Sequence, residues 1–152
     1  MGNIFNEDFR KFLQSLNNND VRYILIGGYS VILHGYSRTT GDMDIWVERT
    51  GTNYQYIKKA FSDFGMPVFN MTEENFLHHP TWDVFTFGNP PSSIDIMIRA
   101  KGLDFDTCFN QSVYFEEEGI QIRTININDL LDAKKASARP KDIDDIQNLQ
   151  NN

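Results

Sequence analysis

The spacing of apolar residues divides the chain into segments with a helical period and segments with a strand period. Residues 7–17 carry Phe9, Phe12, Leu13 and Leu16 three or four positions apart, which is typical of one face of an amphipathic helix. The same reasoning predicts further helices over residues 29–36, 53–65, 105–109, 129–138 and 140–149. Asn128 or Asp129 is expected to cap the fifth of these six helices. The last helix is expected to bury Ile143, Ile146 and Leu149.

Strand patterns occur between these helices. Residues 23–26 form a short continuous apolar run, which is typical of a buried strand. Residues 42–48 alternate, with Met43, Ile45 and Val47 on one face and Asp42, Asp44, Trp46 and Glu48 on the other. Two hairpin-like pairs are also predicted, 83–87 with 94–98 around the connection 88–91, and 113–115 with 120–123. Residues 67–80 show no period and are predicted to be irregular.

Composition narrows the class of protein. With 152 residues and 40% hydrophobic residues, the chain suits one folded domain covering residues 1–152. Its net charge of −7, from 14 basic and 21 acidic residues, argues against a general nucleic-acid binder but not against a nucleotide that arrives with metal ions. The absence of a long apolar run, of a signal-peptide pattern and of a second cysteine predicts a cytoplasmic protein with no membrane contact.

Carboxylates mark the candidate chemistry. Residues two apart in a strand point to one side, so Asp42 and Asp44 are expected to project together. Asp95, on the predicted strand 94–98, joins them if the two strands are neighbours. Three carboxylates on one face repel unless cations lie among them, and Mg²⁺ (or Mn²⁺) suits oxygen ligands combined with substrate phosphates. Asp95 is then placed to act as a general base or as a metal ligand. Taken singly, each aspartate is as well explained by a solvated strand.

A glycine turn precedes the first of these carboxylates. Gly27 and Gly28 stand between a predicted strand and a predicted helix, where the backbone N–H groups can approach an anion without interference from a Cβ atom. Ser30, Thr39 and Thr40 can add hydroxyl donors, and Arg38 can pair with phosphate oxygens. Neither the Walker A spacing nor Gly-x-Gly-x-x-Gly is present. Taken by itself, a Gly-Gly pair is better explained by a structural turn that needs positive φ.

In combination, these motifs resemble the polymerase-beta-type nucleotidyltransferase superfamily. The motif Arg38-x-Thr40-x-Asp42-x-Asp44 is similar to the corresponding motif of small bacterial nucleotidyltransferases, including relatives of the toxin of abortive-infection toxin–antitoxin systems. The closing segment from Lys134 to Leu149 is similar to the last helix of those proteins. The likeness covers residues 24–48, 93–98 and 128–149.

The resemblance implies a fold, a reaction and roles for residues. The implied fold is α+β (α/β), a mixed sheet flanked by helices with the active site at one end. The implied reaction uses Mg²⁺ or Mn²⁺ and a nucleoside triphosphate (NTP), with ATP among the candidate donors. Gly27, Gly28, Ser30, Arg38 and Thr40 would face the triphosphate, Asp42 and Asp44 would hold metal, and Asp95 would activate the acceptor. Lys134, Arg139 and Lys141 are weaker candidates for phosphate contacts, whereas Asp142 and Asp145 are expected to orient those basic groups.

The sequence alone leaves four hypotheses about the function open. The first is an enzyme that transfers NMP to a hydroxyl of a protein, a small molecule or an RNA end. The second is a catalytically silent nucleotide-binding or interaction module of a toxin–antitoxin pair, although such a module would not need all three carboxylates. A glycosyltransferase fits the chain length poorly and leaves the glycine turn without a role. A metal-dependent nuclease using Asp95 and Lys101 fits poorly with Asp42 and Asp44.

Overall fold

The computed structural model describes residues 5–36, 38–89 and 92–150. Within them the helices and strands follow the order below, numbered along the chain. They are α1 (Glu7–Asn18), β1 (Tyr23–Ile26), α2 (Gly27–Leu33), β2 (Met43–Val47), α3 (Gly51–Phe64), α4 (Glu73–His78), β3 (Val84–Phe87), β4 (Ile94–Met97), α5 (Phe105–Asn110), β5 (Val113–Glu117), β6 (Ile120–Thr124), α6 (Ile127–Ser137) and α7 (Pro140–Gln150). All the strands predicted from the sequence are present. Pro90 and Pro91, in the predicted connection of the first hairpin, lie outside the described residues.

The six strands form one mixed sheet. Their order across the sheet is β3-β4-β2-β1-β6-β5. β1 pairs with β6 and β2 pairs with β4 in parallel, while the β1–β2, β3–β4 and β5–β6 pairs are antiparallel. The predicted mixed sheet flanked by helices is therefore confirmed. β2, which carries Asp44 and begins one residue after Asp42, lies inside it between β1 and β4.

One face of the sheet is covered by α1 and α3. Phe12 and Leu16 of α1 and Phe61 of α3 are fully buried, and they share a core with Leu25 of β1 and Ile45 of β2. Burial of each such side chain contributes roughly 1.5–3 kcal/mol to folding. This face is apolar throughout and holds none of the candidate carboxylates.

The other face is covered by α5, α6 and α7. Ile24, Trp46, Cys108, Leu130 and Leu149 form its buried core. Trp46 lies on the side of β2 that the alternation assigned to polar residues, yet it is only 2% exposed because these helices cover it. Thus the face that carries Asp44 is apolar at one end and polar at the other.

Three local predictions were wrong. The segment 67–80, predicted to be irregular, contains the one-and-a-half-turn helix α4, which Thr72 caps and whose Phe76 is buried. Phe76 is the only residue of α4 that is fully buried, so no repeat of apolar residues marks this helix in the sequence. The cap of α6 is Asn126, whose side chain accepts from the Asp129 N–H, rather than Asn128 or Asp129. Ile143 is 51% exposed, because the face of α7 that packs inward also carries two ion-paired aspartates.

Candidate active site

Asp44 and Asp95 lie side by side on neighbouring strands. β2 and β4 run parallel, and Asp44 is the register partner of Asp95. Register partners project to the same face of a sheet. Asp44 is also the partner of Ile26, the last residue of β1 before the glycine turn. Two carboxylates therefore meet at the point where the glycine turn reaches the sheet.

The structure holds the two outer carboxylates with hydroxyl groups. Ser93 Oγ donates to Asp42 Oδ1 over 2.6 Å, and Thr86 Oγ1 donates to Asp95 Oδ1 over 2.7 Å. Asp42 lies two residues before Asp44 and so on the same side of the chain. The three aspartates form a row in which Asp44 is the central member, since its carboxylate interacts with both Asp42 and Asp95.

The central carboxylate has a strongly altered acidity. The pKa of Asp44 is raised from 3.8 to about 7. Burial is the main cause, followed by the negative charge of Asp95, a hydrogen bond to Asp95 and the charge of Asp42. Lys141 acts the opposite way and lowers this pKa. The pair Asp44–Asp95 therefore tends to keep a proton near neutral pH, which means that the site favours an added positive charge.

The glycine turn is packed directly against this row. Gly27 has φ +71, and a Cβ atom built on it would lie 2.1 Å from Asp44 Oδ2. A Cβ atom on Gly28 would lie 2.3 Å from Thr40 Oγ1 and 3.0 Å from the Arg38 Nη2. Gly27 needs both the left-handed conformation and the space, and Gly28 needs the space, so no other residue fits either position without movement.

Ser30 has a different environment from its neighbours in the motif. It is fully buried, and its hydroxyl donates to the carbonyl oxygen of Gly27 over 2.6 Å. It lines neither of the cavities beside the carboxylates. The hydroxyl thus supports the glycine turn, and its predicted contact with phosphate stays a prediction.

A buried ion network faces the carboxylate row from α6 and α7. Lys134 Nζ lies 3.3 Å from Asp142 Oδ1 and 3.0 Å from Asp145 Oδ2, and all three residues are buried. Arg38 Nε lies 3.2 Å from Asp145 Oδ1. The expectation that Asp142 and Asp145 orient the basic groups agrees with these contacts.

Arg139 completes the network at its outer edge. Its Nε donates to Asp142 Oδ2 over 2.7 Å. Burial alone would raise the pKa of Asp142, but hydrogen bonds from Arg139 and Ser137 and the charge of Lys134 outweigh burial and hold that pKa well below its usual range. The network contains two carboxylates, those of Asp142 and Asp145, and three cations, Arg38, Lys134 and Arg139. This side of the site therefore has an excess of positive charge.

Two adjoining cavities open beside the carboxylates. The larger, of about 760 Å³, is lined by the glycine turn, the three aspartates, Thr40 and basic groups that include Arg38 and Lys141. The second, of about 560 Å³, is lined mainly by apolar side chains, among them Met97, Leu103 and Leu130. The two cavities share Gly27, Asp44, Val84, Met97, Lys134 and Arg139 as lining residues.

The donor set suits a hard divalent cation. Among the described residues, no three His, Cys, Asp or Glu side chains are arranged as a complete metal site. Mg²⁺ does not need such a site, because it is usually held by one or two carboxylates together with waters and substrate phosphates. Asp42 and Asp44, which both line the larger cavity, meet that requirement.

The structure thus brings together most of the residues singled out from the sequence. Gly27, Gly28, Arg38, Thr40 and Lys141 join the three aspartates around the larger cavity, and Lys134 and Arg139 line it as well. Sequence reasoning missed Thr86 and Ser93. Thr86 lies opposite Asp95 in the β3–β4 hairpin, so an exact register for that hairpin would have found it.

Comparisons with known proteins agree with this geometry. A family model described as "Nucleotidyltransferase of unknown function (DUF6036)" matches residues 6–150. A comparison with curated proteins found no significant match.

Two solved structures share the fold. One is a candidate nucleotidyltransferase (TM1012) from Thermotoga maritima, with a TM-score of 0.56 and 16% identity, covering 94% of this chain and 90% of that one. The other is the lincosamide antibiotic adenylyltransferase LnuA with lincomycin bound, with a TM-score of 0.58 and 18% identity, covering 98% of each chain. At these identities the likeness shows the fold alone.

Proposed function

The chain belongs to the nucleotidyltransferase family DUF6036, and we propose that it moves NMP from an NTP to an acceptor hydroxyl and releases pyrophosphate. The observation that carries this proposal is the pairing of Asp44 with Asp95 directly beside the Gly27 turn. Two half-buried carboxylates side by side are costly to a folded protein and are expected where a reaction uses them.

The donor side of the reaction is assigned to the larger cavity. The backbone N–H groups of Gly27 and Gly28, the hydroxyl of Thr40 and the charges of Arg38 and Lys141 are the groups that would bind and orient the triphosphate. Lys134 is already paired with two carboxylates, so we assign it to holding the network rather than to direct phosphate contact.

The acceptor side is assigned to Asp95. The acceptor oxygen forms a bond to the α-phosphorus while the bond from that phosphorus to the bridging oxygen of pyrophosphate breaks. The hydroxyl proton passes to the Asp95 carboxylate, and pyrophosphate leaves with the electron pair of the broken bond. β4, which carries Asp95, lies across β2 from β1 and the glycine turn. This arrangement supports an acceptor and a leaving group on opposite sides of the reacting phosphorus.

Mg²⁺ or Mn²⁺ is part of the proposal. Asp42 and Asp44 would hold the ion, which leaves Asp95 to act as the general base. When bound, such an ion supplies positive charge that offsets the carboxylates and the phosphates of the donor. The larger cavity has carboxylates on one wall and cations on the other, which suits a triphosphate that arrives together with its metal.

The charge of the protein bears on the class of acceptor. The net charge of −7 disfavours a bare RNA end, because an acidic surface repels a phosphate backbone. A hydroxyl of a small molecule or of a protein is therefore the preferred acceptor. LnuA, which shares the fold, is named for transfer to a lincosamide antibiotic, and a hydroxyl-bearing small molecule is the first acceptor class to screen.

The decisive experiment measures donor binding and turnover together. Each of the four NTPs is titrated calorimetrically with and without Mg²⁺. Transfer to the acceptor is followed with α-³²P-labelled NTP, and release of pyrophosphate with γ-³²P-labelled NTP. The wild-type protein is compared with Asp42→Ala/Asp44→Ala. Mg²⁺-dependent binding of at least one NTP that is lost in the double variant is the expected result. Equal binding by both proteins would overturn the site assignment.

The sequence-based alternative is tested by the same data. Tight NTP binding with no transfer to any acceptor, in cell extract or with purified molecules, is what a silent module of a toxin–antitoxin pair predicts. The link to such a pair stays a prediction from the resemblance. So does the cytoplasmic location, for which the only finding is that no helix in the described part of the chain is long and apolar enough to cross a membrane.

A further inference from the structure

Two hydroxyl groups hold the ends of the carboxylate row. Thr86 lies on β3, the edge strand, and Ser93 comes directly before β4. Each donates one hydrogen bond to a different aspartate, Thr86 to Asp95 and Ser93 to Asp42. A carboxylate only accepts, so in both pairs the hydroxyl is the donor when the aspartate is ionised.

The residue that faces Thr86 across the hairpin, Asp95, indicates that the Thr86 hydroxyl has a role in the site. On the exposed face of β3, Val84 and Thr86 are the two residues that share a side, and both are β-branched, as strands prefer. Val84 lies opposite Met97, whereas Thr86 lies opposite Asp95. The polar residue therefore stands where the neighbouring strand presents a carboxylate, and strand propensity alone would be satisfied by valine at both positions.

Ser93 is fixed more rigidly. It is 1% exposed, and its carbonyl oxygen accepts from the N–H of Met43, the residue between Asp42 and Asp44. Ser93 thus contacts β2 through its backbone and its side chain at adjacent positions. Such double attachment leaves the Asp42 carboxylate little freedom to rotate.

We propose, on the basis of the proposed function, that Thr86 and Ser93 are positioning residues with separate tasks. Thr86 occupies Oδ1 of Asp95 and leaves Oδ2 for the acceptor hydroxyl, so it acts on the chemical step. Ser93 occupies Oδ1 of Asp42 and aims Oδ2 at the metal and the triphosphate, so it acts on donor binding. Hydrogen-bond partners of metal-binding or reacting carboxylates change affinity or activity by about 10–100-fold when removed.

The test separates the two tasks. Thr86→Val is expected to lower kcat about 10-fold or more while the KM for Mg-NTP stays within about twofold, and Thr86→Ser, which keeps the hydroxyl, is expected to restore most of kcat. Ser93→Ala is expected to raise the KM for Mg-NTP about 10-fold with a smaller change in kcat. Thr52→Val, the same chemical change as Thr86→Val but on the exposed start of α3, is the matched control.

A second measurement does not depend on turnover. Mn²⁺ binding in the presence of a non-hydrolysable NTP analogue, followed through the signal of free Mn²⁺, is expected to weaken about 10-fold in Ser93→Ala and to stay unchanged in Thr86→Val. An active wild type with unchanged kcat in Thr86→Val and unchanged Mn²⁺ affinity in Ser93→Ala would overturn this proposal alone. Losses of kcat and of Mn²⁺ affinity that occur in both variants, in proportion to their loss of thermal stability, would also overturn it. A wild type with no NTP turnover would overturn the proposed function, and this proposal with it.

Discussion

The Arg38 guanidinium and the Asp145 carboxylate are joined across the molecule, with Nε 3.2 Å from Oδ1. Arg38 belongs to the segment that leads into β2, and Asp145 is on α7, the last helix. The other oxygen of Asp145 is 3.0 Å from Lys134 Nζ on α6. One buried carboxylate thus sets the position of two cations that line the larger cavity.

Removing that carboxylate is expected to damage both stability and the site. Asp145→Ala leaves Arg38 and Lys134 partly uncompensated in a buried position, at a cost of roughly 3–5 kcal/mol in the free energy of unfolding. Denaturant titration measures this cost, and the KM for NTP should rise in the same variant. Asp144→Ala, a change to an exposed aspartate one residue earlier, serves as the control and should cost about 1 kcal/mol or less. Equal effects of the two changes would contradict the role of the network.

Gly27→Ala is expected to be far more harmful than Gly65→Ala. Both glycines have positive φ, +71 and +90, so both alanine variants carry a conformational penalty of roughly 1–2 kcal/mol. A Cβ atom on Gly65 meets nothing within 4 Å, whereas on Gly27 it would collide with Asp44. Thermal denaturation should therefore show a larger loss for Gly27→Ala, with loss of NTP binding. Similar melting temperatures for the two variants would show that the turn can move away from Asp44.

Asp44→Asn is expected to raise the stability of the protein and to lower its transfer activity. Without divalent cations the substitution removes the repulsion from Asp95 and Asp42, so the protein should become more stable. Transfer activity should fall by about 100-fold or more, since one of the two assigned metal ligands loses its charge. Melting curves with and without Mg²⁺ give the first quantity, and initial rates give the second. A variant that is both less stable and fully active would contradict the assignment.

Stability without divalent cations is expected to fall as the pH rises from about 4 to about 7. The pKa of Asp44 is raised from 3.8 in the unfolded chain to about 7 in the folded protein. The folded state therefore binds the extra proton in this window, and the stability that this proton contributes is complete below pH 4 and lost as the pH passes 7. The slope is at most about 1.4 kcal/mol per pH unit. Saturating Mg²⁺ or Asp44→Asn should flatten it, as urea titrations at several pH values can show.

Ala138→Gly is expected to stabilise the protein by roughly 0.5–1 kcal/mol. Ala138 ends α6 with φ 52, a left-handed conformation that costs an alanine energy and a glycine almost none. Ala136→Gly, two residues earlier inside the helix, should destabilise by roughly 1 kcal/mol. Opposite signs in urea titrations are the expected result, and destabilisation by both changes would contradict the assignment of Ala138 as a strained cap.

Periodicity predicted the sheet because each strand has one apolar face that the helices cover. It could not predict the burial of Trp46, since the alternation of β2 shows only that this side chain shares a face with Asp44. Burial there depends on α5 and α6, which come much later in the chain. The error at Ile143 has the same origin: α7 turns its aspartates inward because Lys134 and Arg139 are there to receive them.

For the site, motif spacing located the carboxylates and the glycine turn but not the groups that support them. The two-residue spacing of Asp42 and Asp44 in one predicted strand is visible in the sequence itself. Thr86 and Ser93 are ordinary strand and loop residues, and only the register of the β3–β4 hairpin places Thr86 opposite a carboxylate. The pairing of Arg38 with Asp145 is likewise set by tertiary packing, which no local pattern contains.

The contact between Arg38 and α7 also bears on when the site can exist during synthesis. β1, β2 and the glycine turn are made early, but the carboxylate that holds Arg38 is contributed by residue 145. A ribosome-bound chain that has not yet exposed α7 therefore has its aspartates and its turn without the anchored cation. Nascent chains are thus expected to leave nucleotides untouched until α7 has emerged and docked onto Arg38.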